Sequence, residues 1–174
     1  MSRWMKGIMG LWFAVLFLMT AVPAFAAGEK YAYVDVAKVF DEYQKTKDND
    51  KTLQDAGKKK EEERDAIVHD IRQMKDELAL LSEDAKAKKQ EALENKMRQL
   101  ADFDRAAKQD LGERRNKVVR EIFKDIDDTI QRYGERKGFD LIFNERALLY
   151  HHAKLDVTKD ALDELNKNYS KKRK

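Results

Sequence analysis

The chain contains no cysteine and only one proline among its 174 residues. Without cysteine there is no disulfide bond, no thiol nucleophile and no thiolate-bound metal. The single proline is Pro23, so no proline interrupts a helix in the rest of the chain. Aromatic residues make up only 9% of the sequence, whereas charged residues make up 40%. This composition is typical of long helices that are stabilised in pairs.

Neither sign of charge dominates the chain. Lysine and arginine number 36 against 33 acidic residues, which gives a formal net charge of +3. A nucleic-acid-binding protein would show a concentrated basic face, so we expect no nucleic-acid partner. The C-terminal tail, residues 171–174, consists entirely of basic residues. This tail is a candidate for binding anionic lipid or lipopolysaccharide.

A long apolar run occurs only at the N-terminus. Two basic residues precede the stretch from Ile8 to Val22, and the small-residue site Ala24-Phe25-Ala26 follows it. The pattern predicts a secretory signal peptide over residues 1–26, cut between Ala26 and Ala27. An uncleaved anchor is the alternative, but the run is short for a membrane span. The mature chain, residues 27–174, has the length of one domain.

The mature chain begins with a predicted strand and continues as two long helices. Residues 31–36 alternate β-forming side chains, and Asp35 is placed to cap the helix that follows. Residues 37–81 and 83–137 contain helix-forming residues almost throughout. Ser82 suits the N-cap of the second helix, and Gly138 suits its C-cap.

Apolar residues in the two helices match as they would in an antiparallel hairpin with its tip at Ser82. Facing residues then have numbers that add to a nearly constant total. The matching pairs are Val36 with Ile130, Phe40 with Ile126, Tyr43 with Ile122, Leu53 with Leu111, Val68 with Met97, and Ile71 with Leu93. The expected fold is α+β and mostly α: a small β-body holds one long helical hairpin of coiled-coil type, whose helices we call the arms.

The chain after Gly138 completes the predicted body over residues 138–170. Leu141–Phe143 and Leu148–Tyr150 predict two short strands joined as a β-hairpin, and Thr158 predicts the N-cap of a last helix. A body this small is marginal alone and leaves strand edges open, so we expect it to oligomerise. The residues expected in its core or oligomer interface are Val34, Val36, Leu141, Phe143 and Leu149.

Four segments flank or cap the predicted hairpin in a fixed order: Tyr33–Phe40, Leu81–Ala85, Gly138–Phe143 and Leu155–Thr158. Behind a signal peptide, they resemble the Skp (OmpH-like) family of periplasmic chaperones over essentially the whole mature chain. The resemblance implies a homotrimer with a shared β-base and three helical hairpins around a cavity. It also implies that unfolded outer-membrane proteins are bound in the periplasm without ATP or any cofactor.

Two sets of apolar residues are candidates for contact with such clients. The predicted register gives Leu100 and Phe103 no apolar partner in the first arm, so our hypothesis is that both face the cavity and touch client chains. The alternative is that lysine and arginine stems cover them. Leu80 and Leu81 at the tip form the second set, with a simple contact within the tip as the alternative.

Glycines lie inside both predicted arms. Gly57 and Gly112 each cost a helix about 1 kcal/mol relative to alanine. Our hypothesis is that they form a hinge that lets the arms splay around clients of different size. The alternative is that the arms simply tolerate them.

The sequence offers no arrangement of catalytic residues. His69 stands alone on the first arm, and His151 and His152 are adjacent in a predicted strand, so their side chains should point to opposite faces. Neither a phosphate-binding glycine loop nor a His-Glu-x-x-His motif occurs. We therefore expect no enzyme, no cofactor and no metal. The alternative function is a structural coiled-coil spacer or adaptor of the cell envelope, with arms packed along their full length.

Overall fold

The computed structural model describes residues 28–173, so the predicted cleavage site at Ala26 and Ala27 lies outside the described residues. The elements in chain order are β1 (Tyr31–Val34), α1 (Val36–Glu42), α2 (Gln44–Ala79), α3 (Glu83–Lys137), β2 (Leu141–Asn144) and α4 (Thr158–Lys172). The predicted class, mostly helical with a small β-structure, is confirmed. Within residues 28–173, every helix is too short or too polar to span a bilayer.

The two strands form a parallel sheet. Tyr31 pairs with Leu141 at one end and Val34 with Asn144 at the other. Just before β1, the Lys30 backbone N–H donates to Asp140 Oδ2 at 2.6 Å. The sheet therefore joins the segment before the arms to the segment after them.

The predicted β-hairpin after Gly138 is wrong. β2 pairs with β1 instead, and residues 148–150 contain no strand. After β2 the chain forms a 3-10 turn over Glu145–Ala147, in which Asn144 Oδ1 accepts from the Arg146 backbone N–H at 3.2 Å. This turn leads the chain away from β2, so residues 148–150 do not return alongside it. Leu149 is consequently fully exposed.

Helix ends follow local chemistry in most places. Asp35 Oδ1 accepts from the Lys38 backbone N–H at 3.0 Å, and Gly138 ends α3 with a φ of 66°, where a side chain would be strained. Ser82 occupies the N-cap position of α3, but its side chain makes no capping bond. Thr158 was predicted as a cap and is instead the first residue of α4. Its Oγ1 accepts from the Asp35 backbone N–H at 2.9 Å, which ties α4 to the end of β1.

The first predicted arm helix is divided at Tyr43. This residue has a ψ of 129°, so α1 ends at Glu42 and α2 begins at Gln44. The Gln44 backbone N–H, the first in α2, donates to Asn166 Oδ1 of α4 at 2.9 Å. Tyr43 itself is buried, with its ring 5.8 Å from that of Tyr169. Contacts from α4 therefore stabilise the helix break at Tyr43, where the sequence has neither proline nor glycine.

The core lies where α1, α4 and the base of α3 meet beside the sheet. Its buried residues are Val34, Val39, Tyr43, Ile122, Ile126, Ala161 and Leu165. Gly134 of α3 lets β2 approach closely, because a Cβ there would lie 3.2 Å from Ile142 Cδ1. This core fixes the root of both arms.

The helices α2 and α3 lie side by side and run in opposite directions. Salt bridges cross between them at successive heights, and they join Lys45 to Asp125, Arg64 to Asp104, Asp70 to Lys96 and Glu77 to Lys89. Towards the tip, Ile71 and Leu93 are buried. The first arm is α2, and the second arm is α3.

Candidate functional site

The roots of the two arms enclose a cleft of about 230 Å³, called the root cleft below. Phe40 of α1 closes part of it and stacks on Phe123, with 5.1 Å between the ring centroids. The apolar lining residues are Phe40, Leu53, Ala56, Val118, Val119 and Ile122. The other lining residues are polar or charged: Thr46, Asn49, Asp50, Thr52, Arg114 and Arg115. The root cleft therefore combines an apolar patch with polar side chains.

One buried polar group in the lining of the root cleft has no partner among the described residues. Thr46 is only 5% exposed, and its Oγ1 makes no hydrogen bond to any residue in the described range. Two neighbouring lining residues are satisfied, because Asn49 Nδ2 donates to the Lys45 carbonyl and Thr52 Oγ1 to the Asp48 carbonyl. Buried polar groups in proteins are almost always paired, so Thr46 is an exception that requires an explanation.

Charges around the root hold α2 to α3 and α4. Lys45 Nζ lies 2.8 Å from Asp125 Oδ2, which also accepts from the Tyr43 hydroxyl at 3.4 Å. Burial and this carboxylate raise the pKa of Tyr43. On the α4 side, Asp48 accepts from Gln44 and from the Tyr169 hydroxyl. These bonds, with the Gln44 bond contributing most, lower the pKa of Asp48.

The mid-arm candidates Leu100 and Phe103 are both half-buried. Lys60 of the first arm reaches across, with its Nζ 5.4 Å from the centre of the Phe103 ring. Beside this contact, Arg64 Nε is 3.0 Å from Asp104 Oδ1. Phe103 thus contacts a lysine of the opposite arm, at a height where the predicted register offered no apolar partner. Part of each side chain stays open to solvent, so the client-contact hypothesis stays a prediction.

The tip and the two glycines offer open space. Leu80 is 88% exposed, whereas Leu81 is half-buried. A Cβ added to Gly57 or to Gly112 would meet no other atom within 4 Å. Neither glycine is therefore required by close packing, which leaves the hinge hypothesis open.

The residues predicted for the body core divide into two groups. Val34 is buried and Val36 is partly buried against the core. Leu141, Phe143 and Leu149 are exposed in the single chain, with Leu149 completely so. They do not belong to the core of this protomer. Ile142 of β2 packs against α3, so Leu141 and Phe143 point to the opposite face of the strand, and the segment after β2 turns outwards.

No cluster of metal-ligating side chains occurs in the part of the chain that the structure describes. His151 and His152 make different contacts. His151 Nε2 lies 3.1 Å from Glu145 Oε1 and its ring packs 4.0 Å from Tyr33, whereas His152 Nδ1 accepts from the Lys154 backbone N–H. Both histidines hold loops of the body in place.

The family model for outer membrane protein (OmpH-like) matches residues 30–165. This range contains the sheet, both arms and the first half of α4. The chain belongs to the OmpH-like family. The resemblance inferred from the four sequence segments is thereby confirmed.

The OmpH-like fold is also found in a solved structure. A crystal structure of a candidate outer membrane chaperone (OmpH-like) from Caulobacter crescentus CB15 superposes with a TM-score of 0.75. The match covers 80% of this chain and 85% of that chain at 11% sequence identity. A search of curated proteins returned no match. OmpH-like membership indicates a chaperone role for the chain, in a family that is periplasmic and not enzymatic.

The sequence of this OmpH-like chain predicted candidate residues in the mid-arm and at the tip, but it gave no indication of the root cleft. The predicted pairing of Tyr43 with Ile122 placed apolar residues there without indicating a gap. Thr46 gave a weak signal as a β-branched residue in a highly charged stretch. Its missing hydrogen bond depends on the break at Tyr43, which the sequence did not predict.

Proposed function

We propose that the mature chain is an ATP-independent holdase of the periplasm, which binds unfolded outer-membrane β-barrel proteins and prevents their aggregation. The observation that carries this proposal is the OmpH-like match over residues 30–165. The arms support it, because half-buried apolar side chains such as Leu100 and Phe103 stand among charged residues. Weak contacts of this kind, repeated over several arms, give affinity through avidity without fixing the client.

We propose further that the body self-associates as a homotrimer. Exposed apolar residues support this proposal: Leu141, Phe143, Leu149 and Tyr150 together with Tyr31 of β1. The two-stranded sheet also leaves strand edges for another chain. The number three comes from the family resemblance. Light scattering coupled to size exclusion should give three chains per particle, and Leu141→Ser with Leu149→Ser should reduce that mass.

An aggregation assay tests the holdase. An unfolded outer-membrane β-barrel protein is diluted from denaturant with the purified mature chain and no nucleotide. We expect light scattering to be suppressed near stoichiometric ratios. Undiminished scattering with a correctly folded chain would instead favour the structural spacer or adaptor of the envelope.

Variants of the mid-arm test where clients bind. Leu100→Ser with Phe103→Ser should weaken holding while helicity is nearly unchanged, because neither residue belongs to the root core. Gln99→Ser with Asp102→Ser is the matched control on exposed positions of the same turns. Leu80→Ser with Leu81→Ser examines the tip in the same assay. Equal holding by the mid-arm pair and its control would remove Leu100 and Phe103 from the client surface.

The basic tail is a separate proposal for anionic lipid or lipopolysaccharide. Its Arg173 is already bound to Asp48, which leaves Lys171 and Lys172 at the end of α4 as the outward charges among the described tail residues. Deletion of residues 171–174 should reduce binding to anionic vesicles and leave the aggregation assay unchanged. Unchanged vesicle binding would assign any lipid contact to another surface.

A further inference from the structure

The hydroxyl of Thr46 lacks a partner because of where the helix begins. A threonine inside a helix commonly donates to the carbonyl four residues earlier, as Thr52 does to Asp48 at 2.9 Å. For Thr46 that residue is Glu42, the last residue of α1. The extended Tyr43 lies between them, so the chain turns before the usual acceptor can line up.

The next available acceptor is already used. The Tyr43 carbonyl accepts from the Thr46 backbone N–H at 3.0 Å and from the Lys47 backbone N–H at 3.2 Å. A carbonyl oxygen has two lone pairs, so little capacity is left for the Thr46 hydroxyl. A buried hydroxyl without a partner is destabilising, and a bound group that supplied one would gain that free energy.

The root cleft has the size and lining of a site for an aromatic ring. Its volume is about 230 Å³, and Phe40, Leu53, Val118 and Ile122 are among its apolar lining residues. An apolar protein cavity of roughly 150 Å³ holds benzene, so this cleft is large enough for a ring with a polar substituent. The polar lining residues are Thr46, Asn49, Asp50, Thr52, Arg114 and Arg115. Of these described residues, Thr46 is the one with a buried side-chain atom that has no hydrogen bond.

We propose that the root cleft binds a tyrosine side chain of the unfolded client. The ring packs on the apolar lining, and its phenolic oxygen accepts from the Thr46 hydroxyl, which lacks an acceptor within the chain. The source of the side chain rests on the proposed function, since membrane β-barrels carry girdles of aromatic residues at both interfaces. The cleft thereby gives the client one preferred anchor at the root of the arms.

Small probes test the chemistry of the cleft independently of any client. The methyl groups of Val118 and Val119 are followed by NMR while p-cresol or toluene is added to the full mature chain. Thr46→Val keeps the shape of the side chain and removes the hydroxyl. It should weaken p-cresol binding about fivefold, as for loss of one neutral hydrogen bond, and leave toluene binding unchanged or stronger.

Three results would overturn the cleft chemistry. One is p-cresol binding that is equal in the wild type and in Thr46→Val. Another is the absence of shifts at Val118 and Val119 with either probe. The third is a high-resolution crystal structure, soaked in p-cresol, that shows only a water on Thr46 Oγ1. Thr46→Val is also expected to fold at least as stably as the wild type, because it removes an unpaired polar atom.

Client variants separate this proposal from the holdase itself. A β-barrel client and a version with every tyrosine changed to phenylalanine are compared for affinity to the wild type and to Thr46→Val. The wild type should prefer the first client, and Thr46→Val should lose that preference. Equal affinity of the wild type for both clients would overturn the anchor and leave the holdase intact. Failure to hold either client would overturn the holdase, and the p-cresol titration would still decide the cleft.

Discussion

The root and the middle of the arms are built from the same two helices but are packed differently. At the root, Ile122 and Ile126 of α3 are buried among α1, α4 and the sheet. In the middle, Leu100 and Phe103 are half-buried, and the nearby cross-arm link is the exposed ion pair of Arg64 with Asp104. Exposed ion pairs contribute only about 0–1 kcal/mol, so the stability of this fold is concentrated at the root. The middle can therefore change its contacts without unfolding the protein.

The sharpest test of this contrast is a cavity at the root. Ile126 is completely buried, so Ile126→Ala should lower the free energy of unfolding by about 2–5 kcal/mol. Leu100→Ala in the middle should cost clearly less, because its side chain is already partly in water. Urea denaturation followed by circular dichroism measures both, and equal losses would contradict the contrast.

A smaller effect is expected from the cap that α4 supplies to the first arm. Asn166 Oδ1 accepts from the Gln44 N–H at the start of α2, as an N-cap side chain does. Asn166→Ala should lower the free energy of unfolding by about 0.5–2 kcal/mol and speed hydrogen exchange at Gln44. Asn168→Ala, two residues along the same helix, is the control. If exchange at Gln44 stays at the wild-type rate, the cap does not stabilise the helix break.

Replacement of Gly57 or Gly112 should raise the free energy of unfolding, whereas the two variants above should lower it. A Cβ at Gly57 or Gly112 meets nothing, so each change to alanine should stabilise the chain by about 1 kcal/mol. If they form a hinge, the double variant should also narrow the distance distribution between spin labels at Lys88→Cys and Arg120→Cys. The chain has no native cysteine, so labelling is specific. Stabilisation with an unchanged distribution would identify the glycines as merely tolerated.

The last effect is a pH dependence at the root that appears only at alkaline pH. Burial, and then the hydrogen bond to Asp160, raise the pKa of Tyr133 to about 12 from an ordinary value of 10.0. Below pH 10 the tyrosine is neutral in both states, and its contribution to stability is complete. Between pH 10 and 12 the unfolded chain loses the proton first, so stability falls as pH rises. Tyr133→Phe should show a shallower decline over this window in thermal denaturation, and an identical slope would contradict the assignment.

The parts of the fold that depend on residues close in sequence were predictable. Asp35 and Gly138 were correctly placed at helix ends, because a cap is decided by the few residues around it. The break at Tyr43 was not, because it depends on Asn166 and Tyr169, more than a hundred residues away. The pairing of β2 was missed for the same reason, since a four-residue strand does not carry enough information to choose its partner.

The same difference between local and long-range causes separates the candidate-site residues that were predicted from those that were missed. Leu100 and Phe103 were identified because the periodic pattern shows where an apolar residue lacks a partner. The sequence indicated only that some lysine or arginine could cover Phe103, and the structure shows that this residue is Lys60. Thr46 could not be identified, because its unpaired hydroxyl follows from the backbone of Tyr43.

The parallel pairing of β1 with β2 has a consequence for how the chain assembles. Lys30 and Asp140, which are bonded beside the sheet, are 110 residues apart in sequence. During synthesis β1 emerges first and has no partner until both arms have been made. Once α2 and α3 lie together, the ends of that long segment are already close, and most of the entropy of closing it has been lost. The arms thus act as the folding template for the small sheet from which they project.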